Sequence, residues 1–329
     1  MFAVSSDARE ITDMTGRKVV IPDTIKKVVS SSPPGTYLLY AIDPHALAGL
    51  SFSLRADENK YVIDAYRKLP VIGGMVGQGR TLNSEVLLKI KPDFVLIWAM
   101  SDSSIRKKYE TQLTELNIPW VNIVRLENIT HYPEALLFAG DLLNKRERGE
   151  KLHRYAVDAL NSVKAAVAAI PASSRVAVYY AEGIDGLKTE REDSMHSELI
   201  PFAGGINVHK GSARDGMGME NISMEQVLMY DPEVILVKER IFYDRIFSDE
   251  RWKNVKAVKN RRVHLIPHQP FNWFDRPPSF MRLLGAKWVV SVLYPRHYPV
   301  DMVKETKEFY KLFLGVDLND REAREVLIQ

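Results

Sequence analysis

The sequence predicts an α/β protein of two lobes joined by a single long α-helix. Three observations carry that reading: short apolar segments spaced by helix-length stretches, one long Ala-, Leu-, Glu-, Lys- and Arg-rich stretch in mid-chain, and an internal repeat. The apolar segments lie at 46–50, 94–98, 121–123, 176–180, 234–237 and 263–266. Apolarity at consecutive positions marks parallel strands buried on both faces. Ahead of them, residues 11–29 alternate short apolar runs with a Thr-Gly turn and a Pro, which reads as a β-hairpin leading into a strand that ends at Ser30-Ser31-Ser32.

The mid-chain stretch has few helix breakers. Its later part carries Leu152, Tyr155, Ala156, Ala159, Leu160 and Val163 at helical spacing. The expected organisation is therefore an N-terminal lobe over 1–138, a connecting helix over 139–170, and a C-terminal lobe over 171–329. The repeat supports two similar lobes: residues 83–97 (NSEVLLKIKPDFVLI) align without a gap on residues 223–237 (SMEQVLMYDPEVILV). Each copy reads as a short helix capped by Asn83 or Ser223, a Pro-acidic turn and a buried strand. Glu85 and Glu225 occupy the same place in the first helical turn. There they either complement the helix dipole or present two carboxylates to a partner with basic pockets.

Composition excludes several classes. The chain has 329 residues, with 45 Lys and Arg against 42 Asp and Glu, a formal charge of +3 that gives no general drive toward nucleic acid. It has no cysteine, which removes disulfides, iron–sulfur clusters, thiolate zinc and cysteine nucleophiles, so any metal is held by N or O ligands or arrives with its own chelator. No apolar run reaches the ~18–20 residues of a membrane-spanning helix. Residues 1–8 have no basic start and no apolar stretch, and read as a mature N-terminus or as a non-native remnant.

Taken together, the DMTGRKVVIP opening, KKVVSSSP, IGG, the paired Glu-to-Pro-acidic segments, FAGGINV and the C-terminal WFDRPPSFMRLLGAKWVVSVLYP resemble the class III periplasmic substrate-binding proteins of ABC importers. The resemblance covers nearly the whole chain. It implies two Rossmann-like lobes joined by one long helix, a ligand cleft between the lobes, no catalytic residues and no covalent cofactor. It also implies a monomer in the periplasm or otherwise outside the cytoplasm, free or membrane-anchored, that docks on an ABC permease dimer served by its ATPase. Carried over, the docking residues are Glu85 and Glu225. The implied ligand is a metal chelate, of iron–siderophore type first, with haem, cobalamin, a nickel complex, molybdate or tungstate as alternatives.

Loops at the carboxyl ends of parallel strands are where α/β folds hold ligands. In the first lobe these loops offer Tyr37, Arg55 and Arg80; in the second, Tyr180, Arg191, His196, His209, Arg214, Trp273 and Arg276. The arginines suit anionic groups or a solvated surface. His196 and His209 are candidate metal ligands or ordinary hydrogen-bonded residues. Tyr180 offers a phenolate or a ring, whereas Tyr179 points to the opposite, core face. The aromatics of residues 271–276 form either a ligand platform or a seal on the lobe. Met217, Met219, Met224 and Met229 read as packing rather than a soft-metal site. A two-lobe enzyme such as a glycosyltransferase or chelatase is the rival class, but no G-x-G-x-x-G, P-loop, H-E-x-x-H or G-x-S-x-G motif is present.

Overall fold

A computed structural model describes residues 8–74, 82, 84–98, 104–210 and 218–328. The chain divides into two compact units. Unit 1 is Met1–Val157 with Pro277–Phe280 and Tyr310–Asp317; unit 2 is Asp158–Arg276 with Met281–Phe309 and Leu318–Gln329.

Unit 1 begins with an antiparallel hairpin of β1 (Ala8–Thr12) and β2 (Lys18–Pro22). Its turn is tied by Asp13, whose carboxylate accepts from the backbone of Thr15 at 2.9 Å and of Arg17 at 3.0 Å. A parallel sheet follows, built from β3 (Val28–Ser30), β4 (Phe94–Trp98) and β5 (Trp120–Ile123) with β4 in the middle. β4 is buried along its whole length, as a strand covered on both faces should be. The segment 46–50, expected as a strand, makes only single bridges, Leu47 to Val28 and Leu50 to Val71. It borders the sheet without extending it.

The helices of this unit are α1 (Pro33–Ile42), α2 (Asp64–Arg67), α3 (Ser84–Ile90), α4 (Ser104–Glu115), α5 (Tyr132–Leu142) and α6 (Arg146–Ala168). The helix expected over 139–170 is thus divided. Asn144 adopts a left-handed conformation (φ 54°) and the Lys145 amide donates back to the Gly140 carbonyl at 2.7 Å, which closes α5 before α6 starts. A Cβ on Gly140 would stand 2.7 Å from the Cα of Gly149, so this corner demands glycine at close approach. The boundary between the units falls within α6, after Val157.

Unit 2 holds a parallel sheet in the order β11-β10-β6-β8, from β6 (Ala177–Ala181), β8 (Ile206–Asn207), β10 (Val234–Val237) and β11 (Val263–Leu265). A small antiparallel pair, β7 (Lys188–Thr189) and β9 (Glu220–Asn221), lies beside it in sequence. The helices are α7 (Leu199–Phe202), α8 (Met224–Tyr230), α9 (Arg240–Ile246), α10 (Lys256–Lys259), α11 (Met281–Leu293), α12 (Met302–Phe309) and α13 (Asp320–Ile328). The core on one side of this sheet gathers Tyr179, Val227, Ile235, Val237, Phe242 and Trp252, so Tyr179 faces inward as its strand position predicts. Among the described residues no helix is long and apolar enough to cross a membrane.

Candidate functional site

Three sequence candidates of unit 2, Tyr180, His196 and Arg276, converge at the carboxyl end of its parallel sheet. β6 ends at Ala181 and delivers Glu182; β10 ends at Val237 and delivers Lys238 and Glu239. The chain after β11 returns with residues 271–276, where the Asn272 side chain accepts from the backbone of Phe274 at 2.6 Å and of Asp275 at 3.0 Å. That turn fixes Asp275 and Arg276 over the strand ends.

Arg276 is the hub. Its guanidinium bonds Glu190 and lies 3.3 Å from Asp275 Oδ2 and 3.5 Å from Glu182 Oε1. Lys238 Nζ stands 2.9 Å from the same Glu182 oxygen. The Tyr180 hydroxyl donates to Asp275 Oδ1 at 3.0 Å, and His196 Nδ1 lies 3.5 Å from Asp275 Oδ2. Glu182, Glu190 and Asp275 are buried, and Ser194 donates to Glu190 at 2.7 Å.

Burial sets the protonation pattern here. Burial pushes Asp275 up to about 7, helped by Glu182 and opposed by Lys238 and Arg276. It raises Glu190 and Glu239 too. His196 is held down at about 3 by burial and by the charges of Arg276, Arg282 and Lys238, so its ring is neutral. The Tyr180 phenol is raised well above its ordinary value by burial, then by Asp275 and Glu182.

Two expectations are corrected here. Tyr180 is buried with its hydroxyl on Asp275 and its ring against Phe274, so a phenolate for a ferric ion does not arise there. Trp273 is likewise buried, with Nε1 donating to the Gln269 carbonyl at 3.1 Å. Phe271, Trp273 and Phe274 seal the unit rather than form a platform, because apolar rings at the end of a sheet are best covered by their own chain.

A second group stands beside the first. Arg191 pairs with Asp193 at 2.9 Å and approaches Glu220 at 3.7 Å. His209 is bonded on both nitrogens, Nδ1 to the Tyr230 hydroxyl and Nε2 to Glu220, each at 2.8 Å. Its expected role as a metal ligand is therefore replaced by a structural one. His209, Glu220 and Tyr230 line an open hollow of about 450 Å³. Among the described residues, no three His, Asp or Glu side chains converge to hold a metal ion. Met224 packs against the core and Met229 is exposed, in keeping with a packing role rather than a metal cluster. Arg80, Asn83, Arg214 and Met217 lie outside the described residues.

In unit 1 the sheet ends in hydroxyls. Ser30, Ser31 and Ser32 are buried, and Ser30 Oγ donates to the Ser32 carbonyl at 3.0 Å. Thr36 meets Ser51 at 3.0 Å. Tyr37 is half-buried; its phenol is raised by burial and by Glu58, with Arg55 opposing. Arg55 is exposed and paired with Glu58 at 2.9 Å. Glu85 and Glu225 are both exposed in the first turns of α3 and α8, and Ser223 caps α8 by accepting from the Gln226 amide.

The Periplasmic binding protein family profile matches residues 28–270. The chain belongs to the periplasmic binding protein family. The structure of an ABC transporter solute binding protein from Sulfurospirillum deleyianum is similar, with a TM-score of 0.88 and 37% identity over 97% of this chain and 98% of that one. The molybdate-binding protein MolA of Haemophilus influenzae is 26% identical, covering 95% of this chain and 92% of its own. The haem uptake protein IsdE of Staphylococcus aureus is 26% identical over 64% of this chain and 71% of its own. As a periplasmic binding protein the chain is a solute-binding component of an ABC importer and not an enzyme, and its family works outside the cytoplasm.

Sequence reasoning placed Arg276 and His196 but missed Glu182, Glu190, Lys238 and Glu239 as their setting. A signal for three of them was present: charged residues follow directly on the apolar runs ending at Ala181 and Val237. In a parallel sheet that is the ligand end.

Proposed function

We propose that this periplasmic binding protein captures a metal chelate, of the iron–siderophore type, at the carboxyl end of the unit 2 sheet. It then delivers the chelate to an ABC permease dimer that recognises Glu85 and Glu225. The observation that supports the ligand site is the Arg276 hub, which draws Glu182, Glu190 and Asp275 to the ends of β6 and β10. Half-buried Lys238, Glu239 and Arg276 form its accessible rim. Support for the docking role is the repeat: the same carboxylate, at the same turn of matched helices, is exposed in both units.

A molybdate or tungstate ligand is the second reading, favoured by the full-length similarity to MolA. A thermal-shift screen of ferric siderophores, haem, cobalamin, nickel–histidine, molybdate and tungstate tests the ligand, since binding to the folded state alone stabilises it by RT ln(1 + [L]/Kd). The expected result is a rise of several degrees with a ferric chelate. For docking, the Glu85→Ala, Glu225→Ala double variant is expected to bind that chelate normally while failing to support its uptake. Normal uptake by the double variant removes the docking role.

A further inference from the structure

The hub has more carboxylates than cations. Glu182, Glu190, Glu239 and Asp275 stand against Lys238 and Arg276. Arg276 is shared by three carboxylates and Lys238 by two, so the charge of each is already opposed by more than one anion. The neighbouring cations are also committed: Arg282 bonds Glu198, Arg191 pairs with Asp193 and Glu220, and Lys210 bonds Glu192. His196 contributes none, being neutral.

Three carboxylate oxygens are left over in this arrangement, against one donor, Arg276 Nε. Glu182 Oε2, Glu239 Oε2 and Asp275 Oδ2 are buried and have no hydrogen-bond partner, and Glu182 as a whole is 0% exposed. An orphaned buried carboxylate oxygen costs free energy until a donor reaches it. The missing complement is positive charge with N–H or O–H donors.

We infer that the ligand of this site is positively charged, a cationic chelate whose donors complete Glu182 and Glu239, and that anionic ligands such as molybdate are excluded. This rests on the reading above that the end of the unit 2 sheet is the binding site. With no three-ligand metal cluster among the described residues, the metal enters with its coordination filled by its chelator, and the protein reads the outer surface and charge of the complex. An ammonium-bearing organic molecule offers the same chemistry without metal.

The test compares three probes by thermal shift on the whole protein: ferrioxamine B, a ferric trihydroxamate with a protonated amine; its metal-free form; and molybdate. The expected result is a rise of several degrees with ferrioxamine B, none with molybdate, and loss of at least half the rise in Glu239→Gln. That variant keeps the side-chain shape at a half-buried position and folds as the wild type does. An equal rise with the metal-free form keeps the charge inference and makes the ligand an organic cation. Stabilisation by molybdate overturns the inference and leaves the binding-protein reading intact. No rise with any probe overturns the inference and the placement of the site together.

Discussion

The two units use one scheme, a parallel sheet whose strands end in polar loops, and finish it with opposite chemistry. Unit 1 ends in neutral hydroxyls: those of Ser30, Ser31, Thr36 and Ser51 bond each other or the backbone at 3.0–3.4 Å, and Ser32 Oγ is buried without a partner. Unit 2 ends in buried charge, with Arg276 and Lys238 among four carboxylates. Buried hydroxyls are satisfied locally and add a shape, whereas buried charges are satisfied only collectively and add a field. The comparison teaches that a duplicated framework fixes where a ligand end lies and leaves open what it recognises.

The strongest way to break this contrast is to remove the hub. Arg276→Ala strands three carboxylates and is expected to lower unfolding free energy by about 3–5 kcal/mol, read by urea denaturation. A loss under about 1 kcal/mol means that the charges are solvated and that the contrast between the units is superficial.

A second test uses pH. Asp275 keeps its proton to about 7 in the folded protein, against 3.8 as its ordinary value. The folded state therefore binds more protons between those limits, and the stability from this group is complete below 3.8 and lost as pH rises through 7. His196 acts in the opposite sense, its contribution fading as pH falls below 6.5 because its ring stays neutral down to about 3. Asp275→Asn is expected to remove the alkaline-side loss, changing the stability difference between pH 5 and pH 8 by on the order of 2 kcal/mol relative to wild type. An unchanged difference shows that Asp275 titrates as an ordinary carboxyl.

In unit 1 the matching substitution is milder. Ser30→Ala removes a hydroxyl that donates to the Ser32 carbonyl and accepts from the Ser32 amide, with an expected cost of about 1 kcal/mol and no dependence on pH between 5 and 8. A pH-dependent cost would put hidden charge in unit 1. The smallest effect belongs to Glu225→Gln, whose exposed carboxylate is held low by the Ser223 hydroxyl. Its melting temperature is expected to match that of the wild type within error, so any uptake defect reports docking alone.

How much of this was legible in the sequence follows from what each signal depends on. β4, β10 and β11 stand within a residue of expectation, because burial on both faces writes itself as continuous apolarity. Segment 46–50 has the same composition and makes only bridges, since strand pairing depends on neighbours that no local pattern encodes. The long helix was visible, but not its break at Asn144, where the close approach of Gly140 and Gly149 is tertiary. Within the site, Arg276 could be picked out by its position after β11. Glu182 and Glu190 could not, because they lie far from Arg276 in sequence and meet it only once the sheet is assembled.

The division of the chain carries one more consequence. Unit 1 is not finished by the first half of the sequence: the Tyr40 hydroxyl donates to the Leu314 carbonyl at 2.7 Å, Arg148 bonds the Leu312 carbonyl, and Phe280 stacks on Phe313 at 5.2 Å. Those partners of Tyr40 and Arg148 lie 274 and 164 residues further along the chain and are synthesised after them. The first unit to be made is therefore closed by a late segment, and a chain shortened before residue 310 leaves Tyr40 and Arg148 waiting for groups that have not been synthesised.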